Sequence, residues 1–504
     1  MSVFVAAPAL ADVFDDVGYT ALVARLGAGN VPTGAGYGVG QVEADETAGN
    51  YGPDVNNGDF ARTVFSAQSG PFGLSNHATT VGLALYGNTQ SIAPGITNVF
   101  VWSASAWATT SYLKTGQGAT PPAFPPAGLR IFNHSWIGSF GSSFSDNDGL
   151  RRLDFAIQRD NLVIVCGTNN GAGSPASALL GYGFNAMTVG LANGNHCNAT
   201  TPAGLDGPNR RKPEIVAPAS FTSFSTPIIG AAAALLLSTT DVDAGLAANP
   251  NADKSIVIKS VLLSGANHRT GWSNGAATSG PTRGTTNTPL DPLYGADLLN
   301  IDRSHLVLTG QEQNGVSTVP AAPTIDESGW DYLTTVGSNS SVFYRFRLFE
   351  SVPEISILAT WNRSVAANFG SFNMMDLDLT LWSVSGTSLV SLIGDAGVSV
   401  FGAGNVTSTS TIDNIEHLYL KEVQPGDYVI ELKRKVGAQT SLPVALSWYI
   451  PKTTKYGDLN DDDVVDAADL ALLLGAWGTS GPGDLDGDGI VSASDLAILL
   501  GAWG

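Results

Sequence analysis

The chain has 504 residues, too many for one ordinary domain, and its 43% apolar content can fill several cores. Only 13% of residues are charged, the formal net charge is −20, and glycine alone supplies 59 positions. That balance argues against nucleic acid and anionic membranes as partners, and the turn-rich composition suits a secreted protein. Cys166 and Cys197 are the two cysteines; they make no disulfide framework, and the sequence leaves their pairing open. No stretch reaches the about 20 apolar residues that span a bilayer. Residues 1–11 end in an Ala-x-Ala pattern and lack a basic start, as the remnant of a signal peptide would. The expected location is extracellular.

Residues 12–30 contain a helical pattern that ends on Gly27. Residues 33–45 read as a glycine-rich turn feeding a strand that ends on acidic residues, Glu43 and Asp45. Open α/β sheets place their sites at such strand ends. His77 stands before a small-residue helix. Strand-like runs follow at 129–136, 162–171 and 186–190, with a helix at 150–158. Continuous apolar strands alternating with helices predict a parallel sheet covered on both faces, over residues 12–310. Within it, Thr222-Ser223-Phe224-Ser225-Thr226-Pro227 runs into the apolar segment 228–238. Proline suits the first turn of a helix, and a serine at the positive end of a buried helix is placed to favour an oxyanion. The plainer alternative is a serine that only caps a core helix.

From 315 to 450 the period changes to two. Runs at 342–348, 355–361, 377–382, 417–420, 428–432 and 444–448 are rich in aromatic and β-branched residues, the pattern of a β-sandwich. Residues 456–504 hold an internal repeat. The segment from Gly457-Asp458-Leu459-Asn460 to Ala476-Trp477-Gly478 recurs, 26 residues on, from Gly483-Asp484-Leu485-Asp486 to Ala502-Trp503-Gly504.

Acyl transfer by a serine needs a hydroxyl, a base, an orienting carboxylate and oxyanion donors. The α/β unit offers Ser223, His77, either Glu43 or Asp45, and the side-chain amide of Asn169. Four blocks in this order resemble the subtilisin-like serine proteases. His77-Ala78-Thr79-Thr80-Val81 is similar to the family's histidine block, Cys166-Gly167-Thr168-Asn169 to its oxyanion block, and Phe221-Thr222-Ser223-Phe224-Ser225-Thr226-Pro227 to its nucleophile block. Lys212-Pro213-Glu214-Ile215-Val216-Ala217-Pro218 resembles a further signature. The resemblance covers roughly residues 15–310. It implies catalytic roles for Glu43, His77, Asn169 and Ser223, since counting from Thr33-Gly34 sets Glu43 at the family's aspartate, with Asp45 as the other candidate. Departures are Phe221 and Thr168 where the family has glycine, and a short connection that sets Pro218 only five positions before Ser223, expected to reshape the non-prime cleft. Ser135-Trp136-Ile137-Gly138 resembles the strand that pairs with extended peptide substrate.

The sandwich resembles the P-domain and the pre-peptidase C-terminal domain of secreted subtilases. In the repeat, Asp458, Asn460, Asp462, Asp466 and Asp469 fall at calcium-loop positions 1, 3, 5, 9 and 12, with the carbonyl of Val464 at 7. Asp484, Asp486, Asp488, Ser492 and Asp495 repeat the set, with Ile490 at 7. Position 6 is Gly489 in the second loop and Asp463 in the first. Paired loop-helix units with Asp at position 12 resemble a type I dockerin, a small all-α module. That resemblance implies two bound Ca²⁺ and a cohesin-bearing scaffold protein as partner; none is needed for the chemistry itself. The combined expectation is a secreted serine endopeptidase acting on protein or peptide substrates and tethered by the dockerin. A catalytically inactive, peptide-binding or scaffold protein is the alternative.

Overall fold

Alternating apolar runs and helices close into one seven-stranded, all-parallel sheet. The computed structural model describes residues 10–198, 200–453, 455–460, 462 and 464–504; most of the signal-peptide remnant and Asp463 lie outside them. The sheet strands are β1 (Gly38–Glu43), β2 (Val64–Ala67), β3 (Asn98–Ser103), β4 (Leu129–His134), β5 (Val163–Gly167), β6 (Met187–Leu191) and β7 (Ile215–Ala217), in the order β2-β3-β1-β4-β5-β6-β7. The chain leaves β1 toward one edge and then returns to build outward on the other side. The crevice at the carboxyl ends of β1 and β4 is therefore the switch point where α/β sheets place ligands. Strands β2 and β3 had no counterpart in the sequence reading.

Helices α1 (Leu10–Asp16) and α2 (Tyr19–Leu26) precede the sheet; α3 (Asn76–Tyr86), α4 (Ser143–Asp160) and α5 (Thr222–Val242) cover it. Helix α5 is buried along nearly its whole length, packing Ala231 to Leu237 into the core. It is the one described helix long and apolar enough to cross a membrane, but nearly all of it is buried inside the protein. It is a core helix, as the apolar run 228–238 predicts, and it extends beyond that run at both ends. It starts at Thr222, so Pro227 lies inside the helix and not in its opening turn.

Two further sheets follow. One joins the strands Ser341–Leu348, Gly426–Arg434 and Leu377–Ser385; the other joins Ser328–Leu333, Val444–Tyr449, Val352–Trp361 and Ile415–Val423. Their inner faces share a core that includes Ile355, Ile357, Leu379, Leu381 and Ile430. The second sheet also packs outward on helices α6 (Ser255–Ser264) and α7 (Ile301–Thr309), so Trp330, Leu358, Ile415 and Ala445 belong to the core of the α/β unit. Composition changes near residue 315, but apolar packing runs straight across that point.

The chain ends in helices α8 (Ala467–Gly475) and α9 (Ala493–Gly501), each opened by a capping box, Asp466 with Asp469 and Ser492 with Asp495. Among the described residues, Val465, Leu473, Val491 and Leu499 form their buried core. A core that small generally needs a metal or another staple.

Candidate active site

Glu43 closes β1 and His77 stands in the first turn of α3, where Ser75 Oγ caps the helix by accepting from the Ala78 N–H at 3.0 Å. His77 Nδ1 meets Glu43 Oε2 at 2.9 Å. Glu43 is wholly buried, and burial pushes its carboxyl above the usual range despite the His77 and Gln41 hydrogen bonds. Burial pulls His77 down, but the Glu43 hydrogen bond and charge, with the Glu46 charge, outweigh it and leave the imidazole raised. Asp45 is exposed, and its Oδ2 accepts the Gly49 N–H at 3.0 Å. Of the two carboxylates proposed from sequence, Glu43 faces the imidazole and Asp45 caps the next turn.

Ser223 sits at the start of α5. The Thr222 N–H donates to Asn170 Oδ1 at 2.8 Å, and the Thr222 hydroxyl donates to the Thr168 carbonyl at 2.6 Å, so tertiary bonds fix where the helix begins. Pro227 has no N–H to offer the carbonyl four residues back. That carbonyl, on Ser223, accepts the Ser135 hydroxyl at 2.8 Å instead. Ser223 Oγ in turn donates to the Ser135 carbonyl at 3.3 Å. Among the described residues no hydrogen bond joins His77 to Ser223, although both line one cleft of about 370 Å³ with Asp45, Glu46, Trp136, Thr168 and Asn169. Asn169 donates one amide N–H to the Pro175 carbonyl at 3.0 Å, leaving a second N–H on the same nitrogen. Phe221 has φ −141° and ψ 152°, ordinary extended backbone, so a side chain fits where the family has glycine. It packs edge-on against Phe224, whose ring lies 5.7 Å from His77.

Residues 48–276 match the subtilase family profile, Peptidase_S8. This segment is a subtilase-family, serine-type peptidase domain. The match contains His77, Asn169 and Ser223 and begins just after Glu43. No curated protein matches the chain. Similar solved structures include the prenylagaramide maturation protease PagA, at 19% identity over 56% of this chain and 97% of that one, TM-score 0.36. A point mutant of the PatA protease domain shares 16% over 56% and 98%, TM-score 0.39. A serine protease of Aeromonas sobria shares 14% over 82% and 88%, TM-score 0.36.

Three features noted in the sequence take their places around the subtilase domain's cleft. Strand β4 ends at His134, and at Gly138 the segment that follows is bridged by the chain's own Leu179, whose N–H donates to the Gly138 carbonyl at 2.9 Å. The short loop 218–220 borders a second, apolar cavity of about 220 Å³ beside Phe224, Leu83 and Ile92. Cys166 and Cys197 are both free and buried. Gln41, Tyr86 and the Ser135 hydroxyl were not singled out from sequence. The one signal was Gln41 itself, a polar residue two positions before Glu43 in an otherwise apolar strand.

In the C-terminal repeat, carboxylate oxygens of Asp458, Asp462 and Asp469 lie within 4.8 Å of one another, as do those of Asp484, Asp486 and Asp488. Asp469 Oδ1 accepts the N–H groups of Leu459 and Asn460, and Asp495 Oδ1 those of Leu485 and Asp486. Asn460, Asp466 and Ser492 stand in the same loops, where the side chains of Val464 and Ile490 are exposed. Gly487 and Gly489 take φ of 74° and 94°, the left-handed backbone that a tight cation loop requires. Oxygen donors gathered this closely suit a hard divalent cation such as Ca²⁺.

Proposed function

We propose that the chain is a secreted serine endopeptidase using Glu43, His77 and Ser223 as its triad and Asn169 as an oxyanion donor. The observation that carries this is the 2.9 Å contact between His77 Nδ1 and Glu43 Oε2, in a cleft that Ser223 and Asn169 also line. The carboxylate holds the imidazole with Nδ1 protonated, which leaves Nε2 free to act as base. When substrate enters, Ser223 Oγ gives up its long bond to Ser135 and turns to His77. It then attacks the scissile carbonyl as Nε2 takes its proton. The second Asn169 N–H and the Ser223 backbone N–H, at the positive end of α5, stabilise the oxyanion. His77 passes the proton to the leaving amine, and water, deprotonated by the same imidazole, hydrolyses the acyl-enzyme.

The repeat at 456–504 is read as a dockerin. Asp458, Asn460, Asp462, Asp466 and Asp469 would hold one Ca²⁺ with the Val464 carbonyl, and Asp484, Asp486, Asp488, Ser492 and Asp495 a second with the Ile490 carbonyl. The ions would staple the small core; they have no part in peptide hydrolysis. Leu474 and Leu500, at 51% exposure each, and Trp477 and Trp503, at 45% and 46%, give the two halves matched apolar faces for a cohesin-bearing partner. The test is labelling by a fluorophosphonate together with casein hydrolysis. Label on Ser223, lost in Ser223→Ala, is expected; an unlabelled wild type at neutral pH would leave only a peptide-binding scaffold.

A further inference from the structure

Gln41 and Glu43 project from the same face of β1 and are fully buried. Gln41 Nε2 donates to Glu43 Oε1 at 3.0 Å and to the Ala78 carbonyl at 2.7 Å. Its Oε1 accepts the Tyr86 hydroxyl at 2.5 Å. These bonds leave one orientation for the amide, since a flipped group would point its oxygen at two acceptors. Tyr86 is buried, and burial with the nearby Glu43 charge pushes its phenol well above the ordinary value, so it donates at every working pH. Gly82 makes room for it: a Cβ there would meet the Tyr86 oxygen at 2.4 Å.

We propose that Gln41, locked by Tyr86, is the positioning residue of the catalytic acid, orienting the Glu43 carboxylate and supplying its second hydrogen bond. The proposal rests on the triad reading above. Among the described residues Gln41 and His77 are the two hydrogen-bond partners of that carboxylate, and no backbone N–H reaches it. The same amide ties β1 to Ala78, the residue after His77, so acid and base are held in register through two elements at once. The charged and titratable groups facing the dyad are Tyr86 from α3, Glu46 from the loop after β1, and Asp45 on the cleft rim. The working state is an ionised Glu43 beside a neutral His77. In that state no positive charge balances the buried carboxylate, so the Gln41 donor matters most there. Removing it raises the pH at which the dyad releases its last proton.

The test compares Gln41→Leu, Tyr86→Phe and Glu43→Gln in the full-length protein. It reads kcat and KM across pH, and the His77 ring resonances across pH by NMR. Gln41→Leu is expected to lower kcat by about 10- to 100-fold with KM unchanged, and to move both the acid limb of kcat/KM and the His77 titration to higher pH. Tyr86→Phe should move them the same way, with a loss of about 2- to 10-fold. Wild-type kcat and an unmoved titration in Gln41→Leu overturn the proposal. If that variant does not fold, Tyr86→Phe decides, since it deletes one oxygen and no carbon; an unmoved His77 titration overturns the proposal equally. Glu43→Gln separates the two levels. Full activity there brings down the triad reading and this proposal together. An inactive Glu43→Gln beside wild-type behaviour in the other two brings down only the role of Gln41.

Discussion

The Ser135 hydroxyl donates to the Ser223 carbonyl at 2.8 Å, and Pro227 is the reason that carbonyl is free to accept it. Asn133 Nδ2 donates in turn to Ser135 Oγ at 2.9 Å, so the end of β4 is bonded to the nucleophile turn through a relay of three residues. Ser135→Ala removes the middle of that relay and leaves two polar groups without their partner. Stability should fall by about 1–3 kcal/mol, read by urea unfolding, and Ser223 should label more slowly with fluorophosphonate. A wild-type labelling rate would show that the nucleophile turn does not depend on β4.

Glu43→Gln keeps the shape of the side chain but can hold His77 in the wrong tautomer, and kcat is expected to fall by about 10⁴. Glu43→Asp shortens the reach by one methylene, and a displacement of about 1 Å is expected to lower kcat on the order of 100-fold. Asp45→Asn should change kcat little, because Asp45 bonds to Gly49 and not to His77. An inactive Asp45→Asn with an active Glu43→Gln would transfer the role of acid.

His77 must be neutral to accept the Ser223 proton. Because Glu43 and Glu46 raise the imidazole against the opposing effect of burial, kcat/KM should drop as pH falls through a value above the ordinary histidine pKa of about 6.5. The sign for Glu46 follows: Glu46→Gln removes a negative charge that favours the imidazolium, so the acid limb should move to lower pH. A rate profile that shifts upward, or not at all, would contradict this electrostatic account.

Much of this site was legible in the sequence because its parts are local. His77 and Ser223 each open a helix within a recognisable block, and Glu43 follows by counting along one strand. What stayed hidden depends on contacts between distant segments. Gln41 meets Tyr86 only once β1 and α3 are in register. The start of α5 could not be chosen among Thr222, Ser223, Ser225 and Thr226, all hydroxyl residues fit to cap a helix; Thr168 and Asn170 make the choice from another loop. That error of a few residues moved Pro227 from a harmless opening turn to a position that frees the Ser223 carbonyl. The period-two pattern after residue 315 correctly announced β-rich sheets, but periodicity carries no information on what covers their outer faces.

The C-terminal repeat gives a metal-removal test that does not rely on catalysis. Trp477 and Trp503 are half-exposed beside the small core of Val465, Leu473, Val491 and Leu499. Calorimetric titration with Ca²⁺ should show two binding events, with one lost in Asp458→Ala and the other in Asp484→Ala. At a Ca²⁺ concentration 100 times Kd, each site should stabilise the segment by about 2.7 kcal/mol. Chelator should then shift the tryptophan fluorescence while leaving fluorophosphonate labelling of Ser223 unchanged. Identical spectra with and without chelator would remove the basis for a calcium-held module.

Arg363 tests whether the sheets after residue 315 are a removable appendage or part of the peptidase's own stability. It is fully buried, forms an ion pair with Asp154 of α4, and reaches Asp206 at 2.7 Å. Its backbone N–H donates to Asn185 Oδ1 at 2.8 Å, beside the turn where Asp154 accepts the N–H groups of Phe184 and Asn185. Arg363→Ala leaves Asp154 buried without its cation, and breaking such a pair costs about 3–5 kcal/mol. Arg363→Lys keeps the charge but loses the fork that spans two carboxylates, so its loss should be intermediate. Because the outer sheet also packs on α6 and α7, the wild-type α/β unit and the sheets should unfold in one transition, with coincident curves from tryptophan fluorescence and loss of Ser223 labelling. Two separated transitions, or an Arg363→Ala variant as stable as wild type, would show that the peptidase stands without its partner sheets.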